Sequence, residues 1–221
     1  PFEPALLQRH GVAATFVGHP LADAIPLEPP RAAARASLGL AEEDTVVALL
    51  PGSRRSEIAH IAPRLLAAAV LMRRERPGLR FVLPVAPGLR ALVEPLVAAH
   101  GPAGLALVDG RSHEALAACD LTLIASGTAT LEAALFKRPM VITYRMNPLT
   151  WQLMKRGRYQ PWVGLPNILC GEFVVPELIQ ERCTPQLLAD AALELLDDAG
   201  AARRLEHRFH ELHLLLKRDT A

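Results

Sequence analysis

Two short stretches of this chain carry residue types that grip an anion. The first is Leu50-Pro51-Gly52-Ser53-Arg54-Arg55-Ser56-Glu57, which joins an apolar run to a helical pattern. Gly52 allows close backbone approach and Ser53 is suited to cap the helix. The first turn of that helix offers unpaired N–H groups, and Arg54 adds a planar fork that matches phosphate. A capped turn with solvated arginines would use the same residues. The second stretch is Ala125-Ser126-Gly127-Thr128-Ala129-Thr130-Leu131-Glu132. Small hydroxyls and backbone N–H groups at Ser126, Gly127, Thr128 and Thr130 suit a second phosphate. Glu132, one turn on, suits the two hydroxyls of a ribose. By itself this stretch reads equally as a capped helix whose early Glu complements the dipole. Together, two anion-binding turns and a carboxylate on one edge of one sheet point to a pocket for a nucleoside diphosphate.

Other residues are weaker candidates. Tyr144-Arg145 closes an apolar run and could reach the same cleft or sit as a surface pair. Asn167, in Leu165-Pro166-Asn167-Ile168-Leu169, is either a turn former or a ligand contact. His207, His210 and His213 recur every third residue without the carboxylate shell a metal site uses, so no metal is expected there. The chain has no GxxxxGK, GxGxxG, GxSxG or HExxH motif. It also lacks Asp-x-Asp, so no divalent ion on the diphosphate and no cofactor are expected.

The elements that must hold these turns follow from periodicity. Apolar runs at 45–50, 80–85, 105–108, 121–124 and 140–144 read as strands. Helical patterns fill 54–76, 86–100, 112–118 and 128–136 between them. Short buried runs alternating with helices predict βαβ units and an α/β fold, a Rossmann-like parallel sheet with helices on both faces. Residues 14–18 read as a further short strand and 20–30, with four prolines, as a linker. The tail from 184 to 218 reads as helix, opened by Thr184 as cap and Pro185 as first residue.

Composition narrows the classes. The 221 residues carry 24 Lys plus Arg against 23 Asp plus Glu, so bulk charge does not favour a nucleic-acid partner. At 51% hydrophobic and 21% charged the chain is folded rather than disordered. Three cysteines without CxxC spacing argue against a disulfide framework and fit a reducing cytoplasm. No apolar run approaches the ~18 residues of a transmembrane helix. The opening Pro1-Phe2-Glu3-Pro4 has no Met and no polar lead-in, so more sequence is expected upstream.

The ordered set of motifs resembles the lipid-A-disaccharide synthases, bacterial glycosyltransferases of the GT-B architecture. The matching stretches are Phe16 to Asp23, Leu50 to Arg54 with Glu57, Ser126 to Ala134, Pro139 to Val141, Tyr144-Arg145 and Leu165 to Leu169. The resemblance implies a C-terminal, UDP-sugar-binding Rossmann-like domain over 30–221. Residues 1–29 would be the end of an N-terminal domain and a linker. The implied reaction joins UDP-2,3-diacylglucosamine to 2,3-diacylglucosamine 1-phosphate, giving lipid A disaccharide 1-phosphate and UDP. On this resemblance Gly52, Ser53, Arg54, Ser126, Gly127, Thr128, Thr130, Glu132, Tyr144, Arg145 and Asn167 bind the donor. Arg54 also stabilises the leaving group, and the general base lies in an N-terminal half missing from this chain, which alone would be inactive. A homodimer and a cytoplasmic location, peripheral on the inner membrane, are implied as well. Trp151, Leu153, Met154, Tyr159 and Trp162, set among Lys155, Arg156 and Arg158, form either a membrane-contacting segment or a surface that packs on the sheet or on the N-terminal half. Two other readings remain: a UDP-sugar epimerase of similar shape, and a non-catalytic UDP-binding domain.

Overall fold

The computed structural model describes residues 3–146, 151 and 161–218. The helices are α1 (Glu3–Arg9), α2 (Pro20–Ala24), α3 (Arg31–Leu38), α4 (Arg55–Glu75), α5 (Arg90–His100), α6 (Ser112–Ala118), α7 (Thr128–Leu135), α8 (Leu165–Cys170), α9 (Pro185–Asp197) and α10 (Ala199–Leu216). The strands are β1 (Val46–Leu50), β2 (Arg80–Val85), β3 (Ala106–Asp109), β4 (Leu121–Ala125), β5 (Met140–Tyr144) and β6 (Glu177–Ile179). They form one sheet in the order β3-β2-β1-β4-β5-β6, with each neighbouring pair parallel.

Parallel strands covered on both faces must be apolar along their whole length. Accordingly β1 and β4 are buried at every residue. Successive side chains serve opposite cores. Val46, Ala48 and Leu50 join the α2, α3, α6, α7 and α10 side, while Val47 and Leu49 join the α4, α5 and α9 side. Each fully buried Val or Leu contributes about 1.5–3 kcal/mol.

Two expectations differ from the structure, and a third is refined by it. Residues 14–18 are not a strand: they run past the sheet without joining it. Phe16 packs on the core and the His19 N–H bonds Leu216 O (2.9 Å). The 20–30 stretch is not a plain linker. His19 caps α2 through Nδ1, and Ala22 and Ile25 are buried in the same core as β1. The 184–218 tail is helical, as expected, and is divided into two helices. Thr184 caps the first of them, as expected. Asp198 then ends α9 and accepts the Ala201 N–H to start α10 (2.8 Å). The break carries the chain from one face of the sheet to the other: Leu188 and Ala192 pack with α4, Phe209 and Leu212 with α7. Of the aromatic and basic stretch at 151–162, Leu153, Met154, Lys155, Arg156, Arg158 and Tyr159 lie outside the described residues.

At the end of the sheet where the strands begin, Lys137 Nζ donates to His213 Nδ1 (2.8 Å), and the His213 Nε2–H donates to Ala22 O (2.8 Å). Burial draws the Lys137 ammonium down to about 8, helped by Arg138, and burial lowers His213 as well. The unfolded chain therefore binds more protons at both groups than the folded one, and stability rises with pH through each window. Acidification below the ordinary His range of about 6.5 should lower the melting temperature. A non-titrating His213→Gln variant should show a shallower fall between pH 7 and pH 5 by scanning calorimetry; an equal slope would remove His213 from the account.

Candidate functional site: a cavity at the switch point

In an open α/β sheet the ligand crevice lies beyond the carboxyl ends of the strands, where the order reverses. Here the reversal falls between β1 and β4, and a cavity of about 410 Å³ opens there. Its wall comes from the turns after β1, β2, β3 and β4. Gly52, Ser53, Arg54, Ser126, Gly127, Thr128 and Glu132 all line it. The two anion-binding turns and the carboxylate singled out in the sequence are therefore neighbours.

The two turns are not equivalent. Helix α4 begins at Arg55, with Arg54 rather than Ser53 as its cap residue. Glu57 reaches back, and its Oε2 accepts the N–H groups of Ser53 (3.1 Å) and Arg54 (3.3 Å). Its Oε1 accepts from Arg54 Nη1 (2.8 Å). An internal carboxylate thus fills the anion seat that the sequence offered to phosphate. Gly52 makes room for it: at φ +109, a Cβ there would stand 2.4 Å from Glu57 Oε2. What remains for a ligand is the Arg54 guanidinium. Its side chain is 77% exposed against 11% for Glu57, so the pair is held weakly and Arg54 can turn to a second anion at little cost.

The α7 turn is open. No side chain caps this helix, and the Thr130 N–H bonds Gly127 O (3.1 Å). The Thr128 and Ala129 N–H groups have no intrahelical acceptor. Both residues line the cavity. Gly127, at φ +158, has open space where a Cβ would stand. Positive dipole and free donors point at the same volume as Arg54, which is the arrangement that binds a diphosphate. Glu132 stands one turn deeper with its carboxylate 20% exposed.

Four sequence candidates are placed elsewhere. Thr130 is fully buried and its hydroxyl donates to Gly127 O (2.8 Å), bracing the turn. Tyr144 packs beside the α4-side core, and Arg145 donates to Gln180 O (3.1 Å). Asn167 is fully buried. Its amide donates to Val175 O and Glu177 Oε1 and accepts from the N–H groups of Val174 and Val175, which uses its hydrogen-bonding capacity inside the protein. These residues shape the surroundings of the cavity and do not face it.

Sequence reading missed two parts of the wall and a neighbour of Glu132. Pro84 to Pro87 at the end of β2, and Gly110 and Ser112 after β3, make a largely apolar side. His113 Nε2 stands 3.6 Å from Glu132 Oε2, and its ring leans on Phe136 (5.3 Å). The signal was available in the strand-to-helix turns at Val85-Ala86-Pro87 and Asp109-Gly110-Arg111-Ser112. The cysteines take no part: Cys119 is fully buried, and burial pushes its thiol up to about 12.

The 3-2-1-4-5-6 parallel order with a cavity at its reversal defines a doubly wound, Rossmann-like domain. The structure of Anabaena HepE in complex with UDP and glucose shares this fold, with a TM-score of 0.57 at 18% identity over 84% of this chain and 47% of that one. The chain belongs to the lipid-A-disaccharide synthetase family, whose profile matches residues 1–220. It is 60% identical over 226 residues to the lipid-A-disaccharide synthase of Albidiferax ferrireducens and 57% identical over 222 residues to that of Burkholderia vietnamiensis. Both alignments cover the whole of this chain but 58% and 57% of the relatives, so the chain spans little more than half their length.

Proposed function

We propose that this chain is the donor-binding C-terminal domain, residues 30–221, of a hexosyltransferase that condenses UDP-2,3-diacylglucosamine with 2,3-diacylglucosamine 1-phosphate. The observation that carries the reading is the convergence of Arg54, the uncapped start of α7 and Glu132 on one cavity. UDP fits that arrangement. Glu132 accepts the ribose hydroxyls, the Thr128 and Ala129 N–H groups and Arg54 take the diphosphate, and the apolar wall at 84–87 and 110–112 takes the base. As the glycosidic bond breaks, negative charge grows on the β-phosphate. Donors already aimed at that charge lower the barrier without reorganising. The nucleophile is the acceptor 6-hydroxyl, and its proton goes to a base in the part of the relatives that this chain does not span. Family membership favours this reading over the epimerase.

The complete protein should turn over diacylated UDP-glucosamine and leave unacylated UDP-glucosamine essentially untouched. Equal turnover of both would reject the acylated substrate. Acylated substrates also bring the enzyme to a bilayer surface. No helix among the described residues is long and apolar enough to cross a membrane. We assign the contact to the aromatic and basic segment at 151–162, with basic residues worth about 1 kcal/mol each at an anionic surface. Sedimentation with anionic vesicles should weaken with salt and in a Lys155→Glu, Arg156→Glu variant. Unchanged sedimentation would move the contact elsewhere.

A further inference from the structure

We propose that Glu177 is a positioning residue of the donor cavity, acting through the backbone of 163–164 on Ser126; this rests on reading the cavity as the UDP-sugar site. Glu177 opens the edge strand β6, outside the cavity wall. Three N–H donors converge on its carboxylate. The Val163 N–H bonds Oε2 (2.9 Å), the Gly164 N–H bonds Oε1 (2.9 Å), and Asn167 Nδ2 bonds Oε1 (2.8 Å). Asn167 is in turn locked by Val174 and Val175. The segment so held presents the Val163 carbonyl to the cavity side, where it accepts the Ser126 hydroxyl (2.9 Å). The Ser126 N–H bonds Thr143 O (2.8 Å). Ser126 is thus fixed at both its backbone and its hydroxyl, immediately before the α7 turn.

Two consequences follow. The Ser126 proton is spent on Val163, so Ser126 does not donate to a phosphate. It sets the position of the Thr128 and Ala129 N–H groups that do. The chain Asn167–Glu177–Val163–Ser126 also explains why a half-buried carboxylate is used at this place. A carboxylate offers acceptors alone, and all three groups facing it are donors. An amide of the same shape would turn its NH2 against one of them whichever way it is flipped. The held segment is also packed tightly: a Cβ at Gly164 would stand 2.3 Å from Ile142 Cδ1 and 3.2 Å from Glu177 Oε1.

The test is UDP calorimetry on the 221-residue chain with Glu177→Gln, Ser126→Ala and the double variant. Glu177→Gln should weaken UDP about tenfold and Ser126→Ala a few-fold. The double variant should bind no more weakly than Glu177→Gln alone, because both changes cut one chain of contacts. A generic loss of packing predicts that the two losses multiply. Glu177→Asp keeps the charge and the acceptors and should recover part of the affinity; it also serves as the test if Glu177→Gln does not fold. Wild-type affinity in either Glu177 variant, or multiplied losses in the double, overturns the positioning role. Failure of the unmodified chain to bind UDP overturns the donor-site reading beneath it.

Discussion

Arg54→Ala in the complete enzyme should lower kcat by about 100–1,000-fold, the usual cost of removing a donor aimed at transition-state charge. The KM for the acceptor should change little. Arg54 lines the cavity and pairs with Glu57 through one nitrogen of an exposed guanidinium. In the resting protein that pair satisfies both charges. On the proposed reading, a β-phosphate that gains charge would give the guanidinium a stronger partner, and the gain would be realised in the transition state rather than in ground-state binding. Arg54→Lys should recover only part of the rate, since a point charge cannot span Glu57 and phosphate as the fork does. Wild-type turnover in Arg54→Ala would return the turn to a capping role and leave α7 as the whole phosphate site.

Arg35→Met should destabilise the fold by about 3–5 kcal/mol, because it removes a buried guanidinium that satisfies three carbonyls and one oxygen of the part-exposed Asp120. At this chain length that corresponds to roughly 6–20 °C in melting temperature. Arg35 is 1% exposed on α3. Its Nε donates to Ala118 O, Nη1 to the carbonyls of Ala41 and Glu42, and Nη2 to Asp120 Oδ2. Asp120 also receives the Val46 N–H (2.8 Å) and pairs with Arg31. One guanidinium therefore ties α3, the loop before β1 and the α6–β4 junction together, and fixes where β1 enters the sheet. Met fills the stem volume but leaves three carbonyls and part of a carboxylate unpaired. A melting temperature within 2 °C of the parent would show that water takes over those contacts.

What could be read from the sequence, and what could not, divides along physical lines. The central strands were plain because parallel strands buried on both faces are continuous apolar runs. Val46–Leu50 and Met140–Tyr144 could hardly be anything else. The turns after β1 and β4 stood out because glycine, small hydroxyls and a charge cluster where an apolar run stops. Helix α3 was hidden by Arg35. A charged residue that is buried breaks the apolar stripe by which a helix is recognised. Strand β6 is three residues long and begins with Glu177, whose side chain serves a polar network rather than an apolar core. The α9–α10 break at Asp198 reads as a solvated acidic pair, since capping depends on backbone geometry that spacing alone does not specify. Asn167 was selected for being polar in an apolar loop. That feature marks a buried hydrogen-bond hub as well as it marks a ligand contact, and the structure gives it the first job. Glu57 was visible as part of a motif, but its occupation of the anion seat depends on Gly52 and three distances.

Calorimetric titration of the 221-residue chain with UDP tests most directly whether the cavity between β1 and β4 holds UDP through Glu132. UDP should bind with one site per chain, and Glu132→Ala should weaken it by about 1–3 kcal/mol, the range for a lost hydrogen bond to a charged group. Glu132→Gln should lose most of the same affinity, because an amide offers one acceptor to two ribose hydroxyls. Equal UDP affinity in the parent and both variants would contradict the account and place the nucleotide, if it binds, outside this cavity.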